Sequence, residues 1–469
     1  MMAKGRFVHP YIPNSAPGVR EEMLREIGAK DAEELYREMI PERLLLKRPL
    51  RLPDALPAEK DLRRHMEALL ARNRTCEEYL SFLGGGCWQH YVPAVCDDLL
   101  RRAEFLTAYS GGNYSDKGRY QAYFEFQSLM GELLGMDVVG VTTYDWGAAA
   151  GNALRMASRL TKRHEVLVPE QMSPRRLAIL RSFAGLREVP GHIDLVTVAH
   201  DPETGMLDLE DLTGKISSRT AAVYFENPSY LGVIEAQGAD ISKTAHEHGA
   251  QSVVGVDPAS LGVLAPPSDY GADIVCGEAQ PLGVHMYAGG GLAGFLASRD
   301  EERYVGEFPS LLISVTGTER PGELAFAHCR YDRTSYIARD QAKDWVGTAT
   351  ALWGVAATAY MALLGPQGFR DLGESILHRS HYAADRLGEI GGVDIRFPAF
   401  FKEFVVDFTR TRKTVGRINR ALLRERIFGG HDLHQEFPHL GQSALCAVTE
   451  IHSKEDIDRL VRAVKGAVR

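Results

Sequence analysis

Lysine is missing from a long central stretch of the chain: between Lys243 and Lys343 there is none. Cysteine is sparse, with six residues (Cys76, Cys87, Cys96, Cys276, Cys329, Cys446) and no CxxC spacing. That pattern argues against a disulfide framework or a zinc site, so no metal is expected, and reduced thiols of a cytoplasmic protein are the expectation. The opening MMAKGRFVHPYIPNS has no apolar h-region, so no signal peptide is expected. No GxSxG elbow is present, which leaves a Ser-His-Asp hydrolase unsupported. Positive charge is in deficit, 54 Lys and Arg against 62 Asp and Glu, a formal charge of −8. Nucleic acid, which needs a basic face, is therefore not an expected partner. Only DWVGTATALWGVAATAYMALLG (344–365) is long enough to span a bilayer. It is rich in Ala, Gly and Thr, and it lacks aromatic-basic flanks and a second such segment. A core helix stopped by Gly365-Pro366 is expected instead, and no membrane association.

What is present is patterned for a large α/β protein. Residues 1–75 read as a helical extension. GVREEMLREIG puts Met23, Leu24 and Ile27 on one face and stops at Gly28, and Asp31 with Glu34 has capping-box spacing before a helix ending at Pro41. A proline-punctuated connector, LLLKRPLRLPDALPAEKD, follows. From about residue 120, apolar runs at 137–144, 165–169, 193–199, 220–226, 252–257 and 273–277 alternate with helical stretches such as 147–162 and 238–249. Such alternation implies a mostly parallel sheet covered on both faces, with ligands gathering at the carboxyl ends of its strands. Asp145, Asn227 and Asp257 all follow strands directly. A large domain over 76–365 and a small α+β domain over 366–469 complete the expected organisation.

The order of these residues matches a pyridoxal phosphate (PLP) enzyme. In such sites an Asp at a strand end holds the pyridinium nitrogen and a Lys after the next strand binds the cofactor covalently. Asp257 in VDPASLG and Asn227 in ENPSYLG stand in the right order ahead of GEAQPLG, yet each alone also reads as an ordinary cap or turn. The lysine is absent, and Gln280 and Pro281 occupy its stretch. Gly147 opens the helix whose amino terminus would take the phosphate, but its first turn has no Ser or Thr and Trp146 precedes it. Trp146 reads either as bulk in the anion site or as a surface aromatic. His285 is the one nearby candidate base, and a satisfied loop histidine is its plainer reading.

Across its whole length the chain resembles subunit 1 of glycine dehydrogenase (decarboxylating), one half of the two-chain glycine cleavage P-protein. The resemblance rests on YIPNSAPGVREEMLREIG, LKRPLRLP, FLGGGCWQHYVPAV, RRAEFLTAY, FEFQSLMGELLGMDV, DPASLGVLAPPSDYGADIVCGEAQPLG and ALCAVTEIHSKEDIDRL. It implies a PLP-transferase-like fold (fold type I). It also implies a homologous partner, a subunit 2-like chain that carries the PLP-binding lysine, so that no covalent cofactor is expected on this chain. A lipoyl carrier protein is implied as a second partner. Gly147, Asn227, Asp257, Gln280 and His285 would then mark a vestigial cofactor cleft. His90, Tyr91, Tyr109, Tyr114, Arg333 and Arg339 are the candidates to shape the partner's cleft, the arginines because a planar fork suits a carboxylate.

Several blocks depart from the family pattern. YSGGNYSDKGR (109–119) and RTSYIARDQAKDWVGT (333–348) are rewritten, YDWGAA replaces a YDGATA-like helix opening, and Ser173-Pro174 stands for a His-Pro pair. Trp146 and Trp345 both lie in rewritten blocks. Three readings follow. The first is a divergent subunit acting on glycine or another small amino acid with its partner; the second is a non-catalytic scaffold or regulatory subunit. The third is a free-standing, lysine-free small-ligand enzyme using His285.

Overall fold

Short runs of branched apolar residues become a seven-stranded sheet: β1 (Val138–Val139), β2 (Glu165–Pro169), β3 (Asp194–Val198), β4 (Thr220–Asn227), β5 (Gln251–Val256), β6 (Ile274–Glu278) and β7 (Gly294–Ser298). The order across the sheet is β1-β7-β6-β5-β4-β2-β3. Strands β2 to β6 pair in parallel, and β7 runs antiparallel to both β6 and β1. The computed structural model describes residues 8, 11–48, 50–56, 58–106, 117–309, 312–341, 343 and 350–469. Tyr109, Tyr114 and Trp345 lie outside the described residues.

Both faces of the sheet are covered, which is why its strands read as unbroken apolar runs. Val223, Phe225, Val254 and Val256 face one core layer with Ile241 and Ala245. Tyr224, Val253, Ile274 and Cys276 face the other with Trp146, Ala149 and Ala153 of the helix Trp146–Thr161. One sequence expectation differs from the structure here. Of 137–144, only Val138–Val139 is a strand; the rest stays irregular because it must climb to the helix amino terminus. The stretch after GGGLAG returns as β7, packed between β6 and β1.

The helix starting at Ala351 does not stop at Gly365-Pro366. Gly365 leaves helical geometry for one residue (φ 59°, ψ −177°), and the helix then resumes to Gly388. Proline is tolerated in a first turn, where its missing N–H has no partner to lose, so the pair that ends one helix opens the next. Among the described residues no helix is long and apolar enough to cross a membrane.

The resumed helix leads to a small antiparallel sheet, ordered Asp394–Ile395, Glu403–Asp407, Ser443–Ala447 and His431–Asp432. Helices Val415–Arg424 and Lys454–Val468 pack on it through Ile418, Leu422, Ile457 and Leu460. The segment Leu80–Ser81 pairs with Ile427–Phe428 and so threads the FLGGGCWQH run along this lobe. By contacts the chain divides into Met1–Arg74 and Thr75–Arg469, the second containing both sheets. Within Met1–Arg74 lie helices Pro17–Glu26, Ala32–Met39 and Glu59–Leu70, with Asp31 capping the second by accepting the Glu34 N–H. None of the described residues in this unit is buried.

Candidate functional site

The carboxyl ends of β1, β2, β4, β5 and β6 meet under the small lobe, and the sequence-predicted Asn227, Asp257, Gln280 and Gly147 all lie at that edge. Asp257 follows β5 and is buried. One oxygen accepts the Ala259 N–H at 3.1 Å, capping the short helix behind it. The other is 2.7 Å from Nζ of Lys402, itself only 3% exposed. Lys402 comes from the small lobe, one residue before the strand Glu403–Asp407. Its ammonium lies 3.6 Å from the centroid of the Trp88 ring and donates to His90 Nε2 at 3.1 Å. His90 Nδ1 pairs with Glu450 at 2.8 Å, and the Tyr91 N–H adds a bond of 2.7 Å to the same carboxylate. Burial pushes the Glu450 carboxyl up, but His90 and the backbone N–H groups outweigh it and hold the group at about 2.

A second network lies beside the first. Trp146 is buried, and its indole N–H donates to the Tyr224 hydroxyl at 3.1 Å. Tyr224 donates to Glu226 at 2.8 Å, and Arg176 forms an ion pair with the same carboxylate. The Arg176 guanidinium stacks 3.8 Å from the Trp146 ring centroid. Burial drives the Tyr224 phenol well up; burial also opposes the Arg176 charge, but Glu226 outweighs it and raises Arg176. Gly255 on β5 makes the room: a Cβ there would lie 2.9 Å from the indole nitrogen.

The helix amino terminus is already capped. The Trp146 N–H donates to Glu278 at 3.1 Å and the Ala148 N–H to Asp145 at 2.6 Å. Glu278 also accepts from Gln280 and Ala293, yet burial pushes its carboxyl up to about 8. Gly147 packs against Ile179, where a Cβ would come within 2.6 Å. Asn227 is tied to both backbone groups of Glu235. Gln280, at the site of the absent lysine, bonds both backbone groups of Trp88 and the carbonyl of Val284. The three glycines of FLGGGC let the chain wrap Glu403, whose carboxylate accepts the Gly85 N–H at 2.6 Å; burial pushes it up to about 7.

His285, Arg333 and Arg339 are not gathered here. His285 is half-exposed and pairs with Asp97 at 3.1 Å, outside the cleft lining. Arg333 is ion-paired with Asp300, and Arg339 is exposed with a φ of 49°. Tyr91 is exposed beside buried His90. Lys402, Arg176, Glu226 and Trp88 escaped the sequence reading. The one available signal was a charged pair, Lys402-Glu403, inside the apolar run FFKEFVV.

A parallel sheet whose strand ends carry Asn227, Asp257 and a Gly-rich return, capped by a small α+β lobe, defines a chain of the PLP-transferase class. The chain matches the family "Glycine cleavage system P-protein" over residues 9–464. It is 40% identical over 475 residues to "Probable glycine dehydrogenase (decarboxylating) subunit 1" of Staphylothermus marinus, covering 98% of each. The protein of that name from Aeropyrum pernix is 39% identical, covering 98% of this chain and 99% of its own. Among solved structures, an inhibitor-bound glycine decarboxylase (P-protein) of the glycine cleavage system superposes with a TM-score of 0.82 at 33% identity, over 98% of this chain and 100% of that one. A sphingosine-1-phosphate lyase from Burkholderia pseudomallei, 14% identical over 92% of this chain and 95% of its own with a TM-score of 0.64, shares the fold. This chain belongs to the glycine cleavage system P-protein family.

The cofactor that this fold implies does not fit the cleft. The space left among Trp88, Trp146, Arg176, Asp257 and Lys402 is about 10 Å³, room for about one water. The acid that would meet a pyridinium nitrogen is already paired with Lys402, and two of the helix N–H groups that would hold a phosphate, those of Trp146 and Ala148, are bonded to carboxylates.

Proposed function

We propose that this chain is the cofactor-free half of a heteromeric enzyme of glycine cleavage, working with a homologous, PLP-bearing subunit 2-like chain on glycine or another small amino acid. The observation that carries this reading is the cleft, whose ligand-binding positions are taken by the chain's own side chains while the fold around them is kept. The PLP of the partner supplies an electron sink as carbon dioxide leaves the substrate. This chain's part is to bind that partner and wall its site, with His90, Tyr91, Tyr109, Tyr114, Arg333 and Arg339 as the candidate contributors. A lipoyl carrier protein would receive the remaining one-carbon unit.

The amino-terminal unit supports a partner. Leu44 is 63% exposed, Leu52 74% and Met39 73%, and no described residue of Met1–Arg74 is buried. Helices that bury nothing within their own chain are held by packing elsewhere. The test is reconstitution. Exchange of labelled bicarbonate into glycine, in the presence of a lipoyl carrier protein, is expected from the mixture of this chain with its lysine-bearing homologue and from neither alone. Full activity of the homologue without this chain would favour the scaffold reading, and activity of this chain alone would overturn both.

A further inference from the structure

We propose that this chain carries a built-in occupant in place of a cofactor: Trp146 and Arg176 fill the cleft, and Lys402 bolts the small lobe onto Asp257, so that the cleft stays shut with no ligand. The inference rests on the cleft geometry alone, so a chain that failed to assemble with a partner would leave it standing.

The charges take the places a ligand would need. Asp257 follows β5 and is 3% exposed, so its carboxylate needs a cation beside it. Lys402 supplies one from the other lobe at 2.7 Å, and the Trp88 ring and His90 hold the ammonium from its remaining sides. Trp146 lies flat between Gly255 of the sheet and the Arg176 guanidinium, a planar group stacked in a slot that fits it. Its N–H, the Tyr224 hydroxyl, Glu226 and Arg176 form one continuous chain of bonds, which no mobile surface aromatic would have.

Lys402 also sits on the seam between the lobes. One residue before it, the Phe401 N–H donates to the Gly232 carbonyl at 3.3 Å, and the Ile234 N–H donates to Ala399 at 3.0 Å. One residue after it, Glu403 receives Gly85. The segment after β4 and the glycine loop therefore grip the same five-residue run, 399–403, and the Lys402–Asp257 pair is the charged contact within it. A bolt buried at both ends leaves the lobes little freedom to part.

Three measurements on the full-length chain test this. Lys402→Met leaves Asp257 buried and unpaired, and amide hydrogen exchange in 399–407 and 84–90 should speed up by on the order of a hundredfold or more. Lys402→Met with Asp257→Leu, which replaces the pair by apolar groups, should recover most of the protection. Trp146→Gly should empty the indole slot, and free indole should then raise the thermal midpoint of that variant while leaving the parent unmoved. The parent should retain no PLP or indole on equilibrium dialysis, a result that needs no variant to fold. The proposal is overturned if the parent binds either probe in the cleft, if Lys402→Met leaves exchange at the seam unchanged, or if a folded Trp146→Gly ignores indole.

Discussion

Replacing Arg176 by Met should cost this chain several degrees of thermal stability, and the structure sets the size. The Arg176 side chain is 7% exposed and that of Glu226 is 1% exposed, so removing the cation strands a carboxylate with little water to turn to. Breaking a buried pair in this way costs about 3–5 kcal/mol, and loss of the stacking on Trp146 adds on the order of 1 kcal/mol. For a unit of roughly 400 residues, the entropy of unfolding makes each kcal/mol worth about 1.2 °C, so a drop of ~5–7 °C is expected. Scanning calorimetry at a fixed rate measures it, with near-ultraviolet circular dichroism reporting the packing of Trp146. Arg176→Met combined with Glu226→Gln removes the stranded charge and keeps an oxygen for the Tyr224 hydroxyl. That double variant should recover at least half of the loss. A single variant as stable as the parent, or a double variant no better than the single, would refute the idea that this network is a paid-up electrostatic unit.

Other parts of the molecule give four further expected outcomes. Glu403 and Glu278 sit at about 7 and about 8 in the fold against an ordinary 4.5, so the folded state holds protons there that the unfolded chain releases. Stability should therefore fall as pH rises from about 4.5 to about 8, and Glu403→Gln should flatten that slope in pH-dependent unfolding. Glu450, held at about 2, works the other way: its contribution is present above 4.5 and disappears as pH falls toward 2. Gly232→Ala should lower the yield of soluble protein or cost on the order of 3 kcal/mol, because Gly232 has a φ of 85° and a Cβ there would lie 1.9 Å from the Glu403 carbonyl oxygen. Leu62→Ser with Met66→Ser, both on an exposed helix, should shift stability by no more than about 0.5 kcal/mol each, yet weaken association with the partner subunit in analytical ultracentrifugation.

The sequence by itself determined the strands of the sheet and the edge at which Asn227 and Asp257 follow them. The runs 165–169, 193–199, 220–226, 252–257 and 273–277 all become strands within a residue of where they were read, because burial on both faces demands unbroken apolar stretches and caps announce their ends. The order of Asn227, Asp257 and GEAQPLG pointed to the class. The sequence could not decide what fills the cleft. Trp146 read equally as filler or surface aromatic, since one aromatic at a helix start carries no periodic signal; only the position of Gly255 and Tyr224 on neighbouring strands makes it a buried donor. Lys402, marked only by its place inside the apolar run FFKEFVV, escaped for the same reason in stronger form. Local pattern reports how a residue sits relative to its neighbours in sequence, and a lysine at a strand end looks exposed by that rule. Its partner, Asp257, follows a strand of another sheet, and the pairing exists only because the small lobe folds back over the carboxyl ends of β4 and β5. Long-range closure, not local propensity, decided that the cleft would be filled from within.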